Sequence, residues 1–148
     1  MASYIRCLRR LAWKFVSAIL LLIACVTAPC SAGQDRSCTP ADVKKAQREI
    51  SRLQDWNAVY DSFKHFPRCD RGRLAEEYSY AVSRLLAHDW ADLAILLSLA
   101  ANDQSFKAFV LQHLDENIPE EEAQLIVRNS RQHCPAEGEW LCKAIADY

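Results

Sequence analysis

Seven cysteines and four histidines are the side chains of this chain best suited to chemistry, and their spacing limits what that chemistry can be. Nucleophilic catalysis needs a serine or cysteine activated by a neighbouring base. There is no Gly-x-Ser-x-Gly turn, and the adjacent pair His133-Cys134 is the nearest thing to a dyad. A disulfide accounts for Cys134 better, because thiols present in even number in an exported protein usually pair. Metal binding would need ligands at a fitting interval, and none of His65, His88, His113 or His133 has a partner at such spacing. The run His113-Leu114-Asp115-Glu116 lacks the alternating oxygen ligands and central glycine of a calcium loop. It reads as a solvated helix end. Glu76-Glu77 and Asp115-Glu116 place carboxylates side by side, but sequence neighbours on a helix point in different directions and cannot face each other across a cleft as a glycosidase requires. No catalytic residue, metal site or cofactor is expected.

The aromatic side chains leave two readings open. Trp56, Tyr60, Phe63 and Phe66 exceed what a short helix at the edge of a small bundle needs, and Tyr78 with Tyr80 puts phenols on two faces of a helix. They form either core with snorkelling edges or a recognition surface, since partly exposed Trp, Tyr and Arg make binding hot spots. The candidate partner contacts are Trp56 and Tyr60 on this edge and Asp115, Glu116, Glu120, Glu121 and Glu122 in the acidic run.

The chain opens with Arg6, Arg9, Arg10 and Lys14, then an apolar run from Phe15 to Ala28, then Pro29-Cys30-Ser31-Ala32-Gly33. That order is a secretory signal peptide, and the apolar run is short for a spanning helix. Two processing sites compete. Cleavage after Ala32 makes residues 1–32 the leader and 33–148 one domain, and keeps Cys38, Cys69, Cys134 and Cys142 as an even set. Leu22-Ile23-Ala24-Cys25 instead fits lipidation on Cys25, which would leave Cys30 as an odd thiol and anchor the chain to the outer membrane. The even set favours the soluble periplasmic or secreted form.

After Ala32 the chain has 116 residues, enough for one modest core. All nineteen acids remain against fourteen of the eighteen basic residues, a net charge of −5. That balance argues against nucleic acid as a partner, because phosphate binding runs on clustered Lys and Arg. Glycine occurs three times and no β-branched alternation is present, which favours helix throughout.

The elements follow from caps and periodicity. Thr39-Pro40-Ala41-Asp42 starts a helix with apolar residues at Val43, Ala46, Ile50 and Leu53. The phase slips around Gln54-Asp55-Trp56-Asn57, and a second helix runs to Phe66-Pro67. An unbroken helix from Ala41 to Phe66 would be about 39 Å long, so a break there is what lets Cys38 meet Cys69 at one end of a hairpin. Gly72 suits a turn with positive φ, and Asp70 is expected to bond neighbouring backbone N–H groups. A third helix aligns Leu74, Tyr78, Ala81, Val82, Leu85 and Leu86. Asp89 is expected to cap the fourth, Ala91 to Ala101, whose apolar residues go nearly all the way round. That pattern predicts burial on most sides, with the other helices wrapped around it. Asp103 caps a fifth helix bearing Phe106, Phe109, Val110 and Leu114, and a sixth starts with three glutamates and stops at Cys134-Pro135. A last helix, about Glu137 to Ala146, lets Cys142 turn back to Cys134. The expected fold is all-α, a compact orthogonal bundle of six or seven short helices stapled by disulfides. Four cysteines allow three pairings; Cys38–Cys69 with Cys134–Cys142 is the one in which both loops are local.

Trp56 and Tyr60 to Phe63, the turn Cys69-Asp70-Arg71-Gly72, Tyr78-Ser79 to Leu85-Leu86, Trp90 to Leu93, Phe106 to Leu111 with His113 and Asp115, and Cys134-Pro135 to Leu141-Cys142 carry a resemblance. They look like a family of small exported helical proteins of Gram-negative bacteria with no assigned activity. The resemblance spans most of the mature chain and implies a four-cysteine helical domain and a periplasmic address, with no catalytic residue to carry over. Arg71 departs from the pattern, which would place a second acid after Asp70. In build the chain is also similar to immunity proteins that neutralise cell-wall amidases, a likeness of size, compartment and staples. These features set the functional expectation: a periplasmic helical protein that binds a protein partner without catalysis, as an immunity-type inhibitor of a wall-directed toxin or hydrolase does. An envelope enzyme acting on peptidoglycan or glycan, and a lipoprotein adaptor at the outer membrane, are the alternatives.

Overall fold

The computed structural model describes residues 37–114 and 118–147. The leader, both processing sites with Cys25, and Asp115 and Glu116 lie outside the described residues. Seven α-helices follow one another with no strand among the described residues: α1 Pro40–Ile50, α2 Trp56–His65, α3 Arg73–His88, α4 Leu93–Asn102, α5 Gln104–Gln112, α6 Glu120–His133 and α7 Glu139–Ala146. Single 3-10 turns, Trp90–Asp92 and Ala136–Gly138, lead into α4 and α7.

Local chemistry sets the helix starts. Thr39 Oγ1 accepts from the N–H of Asp42, whose carboxylate accepts from the N–H of Thr39, a complete capping box with Pro40 behind it. Asp55 caps α2 by accepting from Ala58 N–H at 2.9 Å, which is why the chain breaks where the apolar phase slips. Asp103 caps α5 through the N–H groups of Ser105 and Phe106. Gly72 takes φ +52, a conformation that L side chains rarely adopt, and turns the chain into α3. Asp89 behaves otherwise than expected: its carboxylate caps nothing and instead receives Arg84 at 3.3 Å.

The disulfides are Cys38–Cys69, with α-carbons 5.0 Å apart, and Cys134–Cys142, at 6.3 Å. The first closes the α1–α2 hairpin and the second ties α7 to the end of α6. Bridged cysteines belong to an oxidising, non-cytoplasmic compartment. No helix among the described residues is long and apolar enough to cross a membrane.

The core is built around α3, not around α4. Leu74, Tyr78, Ala81, Val82, Ser83, Leu85, Leu86 and Ala87 of α3 are all buried, and α1, α2 and α6 pack against it. In α4 only Leu93, Leu96 and Ala100 are buried, while Ala94, Ser98 and Ala101 are exposed. Ala91, in the preceding turn, is exposed too. The expectation that Ala91 to Ala101 is enclosed on most sides is therefore overturned. Alanine and serine expose little apolar area, so a helix carrying them on its outer side can lie at the edge at small cost.

Candidate functional site

The residues with chemical potential converge at one place the sequence did not mark. Ser79 lies on α3, His113 ends α5, and Asp70 sits in the turn after Cys69. His113 Nδ1 is 2.9 Å from Ser79 Oγ, and His113 Nε2 is 3.1 Å from Asp70 Oδ2. A carboxylate can only accept, so Nε2 carries the proton toward Asp70, and in a neutral ring Nδ1 accepts from the serine hydroxyl. This is the serine–histidine–aspartate order of an activated hydroxyl.

Three elements hold the ring. The C-terminal turn of α5 positions it through backbone bonds from His113 N–H to Phe109 and Val110 carbonyls at 3.1 and 3.2 Å. Phe109 meets it edge-on with centroids 4.3 Å apart, and Tyr78 lies 5.7 Å away. Gln112 adds a second donor to Asp70 Oδ2 at 3.2 Å. His113 is 2% exposed. Below it, the Tyr78 and Ser62 hydroxyls bond each other at 2.8 Å, and burial pushes the Tyr78 phenol up while the Ser62 bond opposes that rise.

The same geometry limits what the assembly can do. Ser79 lies in the second turn of α3, where backbone N–H groups are spent within the helix. They cannot line an oxyanion, which acyl transfer needs. The network suits a clamp better: it ties the turn that follows Cys69 to α3 and to the end of α5, three segments separated by 34 and 43 residues along the chain. Asp70 thus bonds across the molecule rather than to neighbouring N–H groups as its place in a turn suggested.

The aromatic edge is core. Trp56 is 1% exposed and Phe66 8%, so neither presents a surface to a partner in this fold. Tyr60 and Phe63 are partly buried and stack toward Phe106, with centroids 4.9 and 5.4 Å from it. The Tyr60 hydroxyl and the Lys64 ammonium both donate to Asp103, at 3.2 and 2.9 Å. The Lys64 hydrogen bond, with the α5 cap, holds the Asp103 carboxyl below its ordinary value. Trp56, expected as a partner contact, is therefore part of the core, and Tyr60 has its polar tip engaged within the domain. Glu120 and Glu121 stand exposed at the start of α6. Glu122 folds inward to 3.8 Å from His88. Tyr80 is 56% exposed, the one large hydrophobic side chain in the open among the described residues.

Among the described residues no group of three or more His, Cys, Asp and Glu side chains is placed to hold a metal ion. The serine–histidine–aspartate network leaves no sequence signal, because its members are far apart and none lies in a motif. His113, which in sequence stands beside Asp115, has the distant Asp70 as its partner. Comparison with known proteins finds no family model, no curated protein and no solved structure that matches this chain.

Proposed function

We propose that this chain is an exported periplasmic protein that acts by binding a protein partner, in the manner of an immunity-type inhibitor, and performs no catalysis of its own. The observation that carries this reading is where the reactive side chains are spent. All four cysteines of residues 37–147 are bridged, and the serine–histidine–aspartate set of Ser79, His113 and Asp70 is closed on itself with its histidine 2% exposed. What faces outward is charge and Tyr80, the material of recognition. Glu120 and Glu121, exposed at the start of α6, supply acidic contacts, and the net charge of −5 of residues 33–148 disfavours nucleic acid. Binding to a membrane would require lipidation at Cys25. The test is affinity capture of the oxidised protein from periplasm, repeated with Tyr80→Ala and with Glu120→Lys plus Glu121→Lys. A stoichiometric partner lost in one of these exposed-site variants supports the reading. A protein that stays monomeric and partnerless yet turns over purified peptidoglycan overturns it.

The Ser79–His113–Asp70 alignment favours a second reading, an envelope hydrolase with Ser79 as nucleophile. It ranks behind the first because donors for an oxyanion are missing at Ser79. A fluorophosphonate probe distinguishes the two: labelling at Ser79 that vanishes in His113→Gln supports the hydrolase, and inert Ser79 excludes it.

A further inference from the structure

The two bridges among the described residues are placed in opposite surroundings. Cys69 is 4% exposed and belongs, with Ala46, Phe66 and Leu74, to a small core against which Cys38 packs. Cys134 is exposed and Cys142 half-buried. The chain around Cys134 is open: Arg131, Gln132 and His133 are exposed before it, and Ala136 and Glu137 after it. Cys134 and Pro135 leave α6 in extended backbone, at φ −69, ψ 116 and φ −76, ψ 156. An exposed extended segment is a form in which a partner protein can take up a chain. What holds α7 does not depend on its bridge. Leu141 is fully buried and Ile145 is 5% exposed, so α7 is anchored in the main core. The turn before it is closed by a bond from Gly138 N–H to the Pro135 carbonyl at 2.9 Å, and Trp90 Nε1 donates to the His133 carbonyl at 3.2 Å. The bridge spans 8 residues against 31 for Cys38–Cys69, so cutting it frees less chain.

We propose that Cys134–Cys142 is a thiol–disulfide exchange site for a protein dithiol, while Cys38–Cys69 is a fixed staple. A thiolate of the dithiol attacks Cys134 Sγ, the S–S bond breaks, and the Cys142 sulfur leaves with the electron pair and takes a proton from water. The second thiolate of the dithiol then attacks its own partner sulfur in the mixed disulfide and releases Cys134 as a thiolate. Two electrons pass to the bridge, and the dithiol becomes a disulfide. Access selects the sulfur that is attacked, and Cys134 is the exposed one. Charge agrees: Arg131 and His133 stand just before Cys134, whereas Glu137 and Glu139 precede Cys142, and an anionic thiolate approaches the basic side more readily. The reduced form keeps its fold and presents two thiols at one end of the bundle. This site goes beyond the partner binding proposed above and does not rest on it.

The experiment treats the oxidised protein with dithiothreitol under native conditions, quenches with iodoacetamide at intervals and maps the alkylated peptides. Cys134 and Cys142 should be alkylated roughly tenfold or more faster than Cys38 and Cys69. Helical circular dichroism and a cooperative melt should persist once the terminal bridge alone is reduced. Thioredoxin, added in catalytic amount as the protein dithiol, should speed reduction of the terminal bridge roughly tenfold further and leave the other unchanged. Reduced glutathione, a monothiol, followed by an early acid quench, should leave the mixed disulfide on Cys134. Equal rates at the two bridges, reduction of Cys38–Cys69 first, no acceleration by thioredoxin, a mixed disulfide on Cys142, or loss of the fold with the terminal bridge each overturns the proposal.

Discussion

Helices α3 and α4 are neighbours in sequence and opposites in role. Half of α3 is polar, yet the bundle closes around it; α4 carries Ser98 as its only polar side chain before Asn102, yet it lies at the edge. The difference is in what the polar groups do. Tyr78 of α3 bonds Ser62 of α2, and Ser79 bonds His113 of α5. Arg84 donates to the Leu53 carbonyl at 2.9 Å, and Asn129 of α6 donates to the carbonyls of Leu86 and Ala87 at the helix end. Each of these bonds has one geometry, so α3 is fixed in rotation and height against several partners at once, and its unpaired end carbonyls are satisfied. Apolar contact has no such direction. A helix that offers little else, as α4 does, is held wherever its larger side chains find cover, and Leu93, Leu96 and Ala100 suffice.

Substitutions in the two helices and at their supports test this contrast directly. The largest effect is expected at the α3 core: Leu86→Ala, at a position with no exposure, should cost about 2–5 kcal/mol in urea unfolding. Leu97→Ala on α4, partly buried, should cost clearly less, and equal losses would restore α4 to the centre. The staples come next. Replacing both Cys38 and Cys69 by Ser opens a separation of 31 residues just ahead of α3 and should cost about 3.7 kcal/mol, against about 2.5 for the 8-residue separation of Cys134 and Cys142. Guanidinium melts of the two double variants compare them directly.

Tyr78→Phe leaves the Ser62 hydroxyl unpaired in the core and should cost about 1–2 kcal/mol. Its pH signature separates this from simple packing loss. The folded state holds the Tyr78 proton more firmly than the unfolded chain does, so its contribution is complete below the ordinary phenol pKa of about 10 and fades as pH rises through the folded value. The Phe variant should show a flatter alkaline limb in stability measured against pH.

At the α4–α5 junction the sign reverses. The Asp103 carboxyl is held low, so its contribution is present above the ordinary carboxylate range and is lost as acid protonates it through the lowered value. Asp103→Asn keeps an N-cap and should reduce acid sensitivity slightly, since the pair with Lys64 is exposed to solvent. Smallest of all, Ala94→Glu and Ser98→Lys on the outer side of α4 should stay within about 0.5 kcal/mol of the parent. Unfolding by either would mean α4 is enclosed after all.

The features legible in the amino-acid sequence lie within a few residues of each signal. The Thr39 cap, the break at Asp55, the cap at Asp103, the stop at Cys134-Pro135 and the positive φ of Gly72 are bonds or torsions between near neighbours, and each was legible. The bridges were legible too, because they follow from where two hairpins end. Long-range packing settles which helix is central, that Trp56 and Phe66 are core, and that Ser79, His113 and Asp70 meet. It also decides that Arg68, Arg71 and Arg73 line one cleft. These outcomes rest on contacts between segments tens of residues apart, whose rotation about their own axes is set by packing against all neighbours together. Apolar periodicity says which residues can be covered; the surrounding helices decide which of them are.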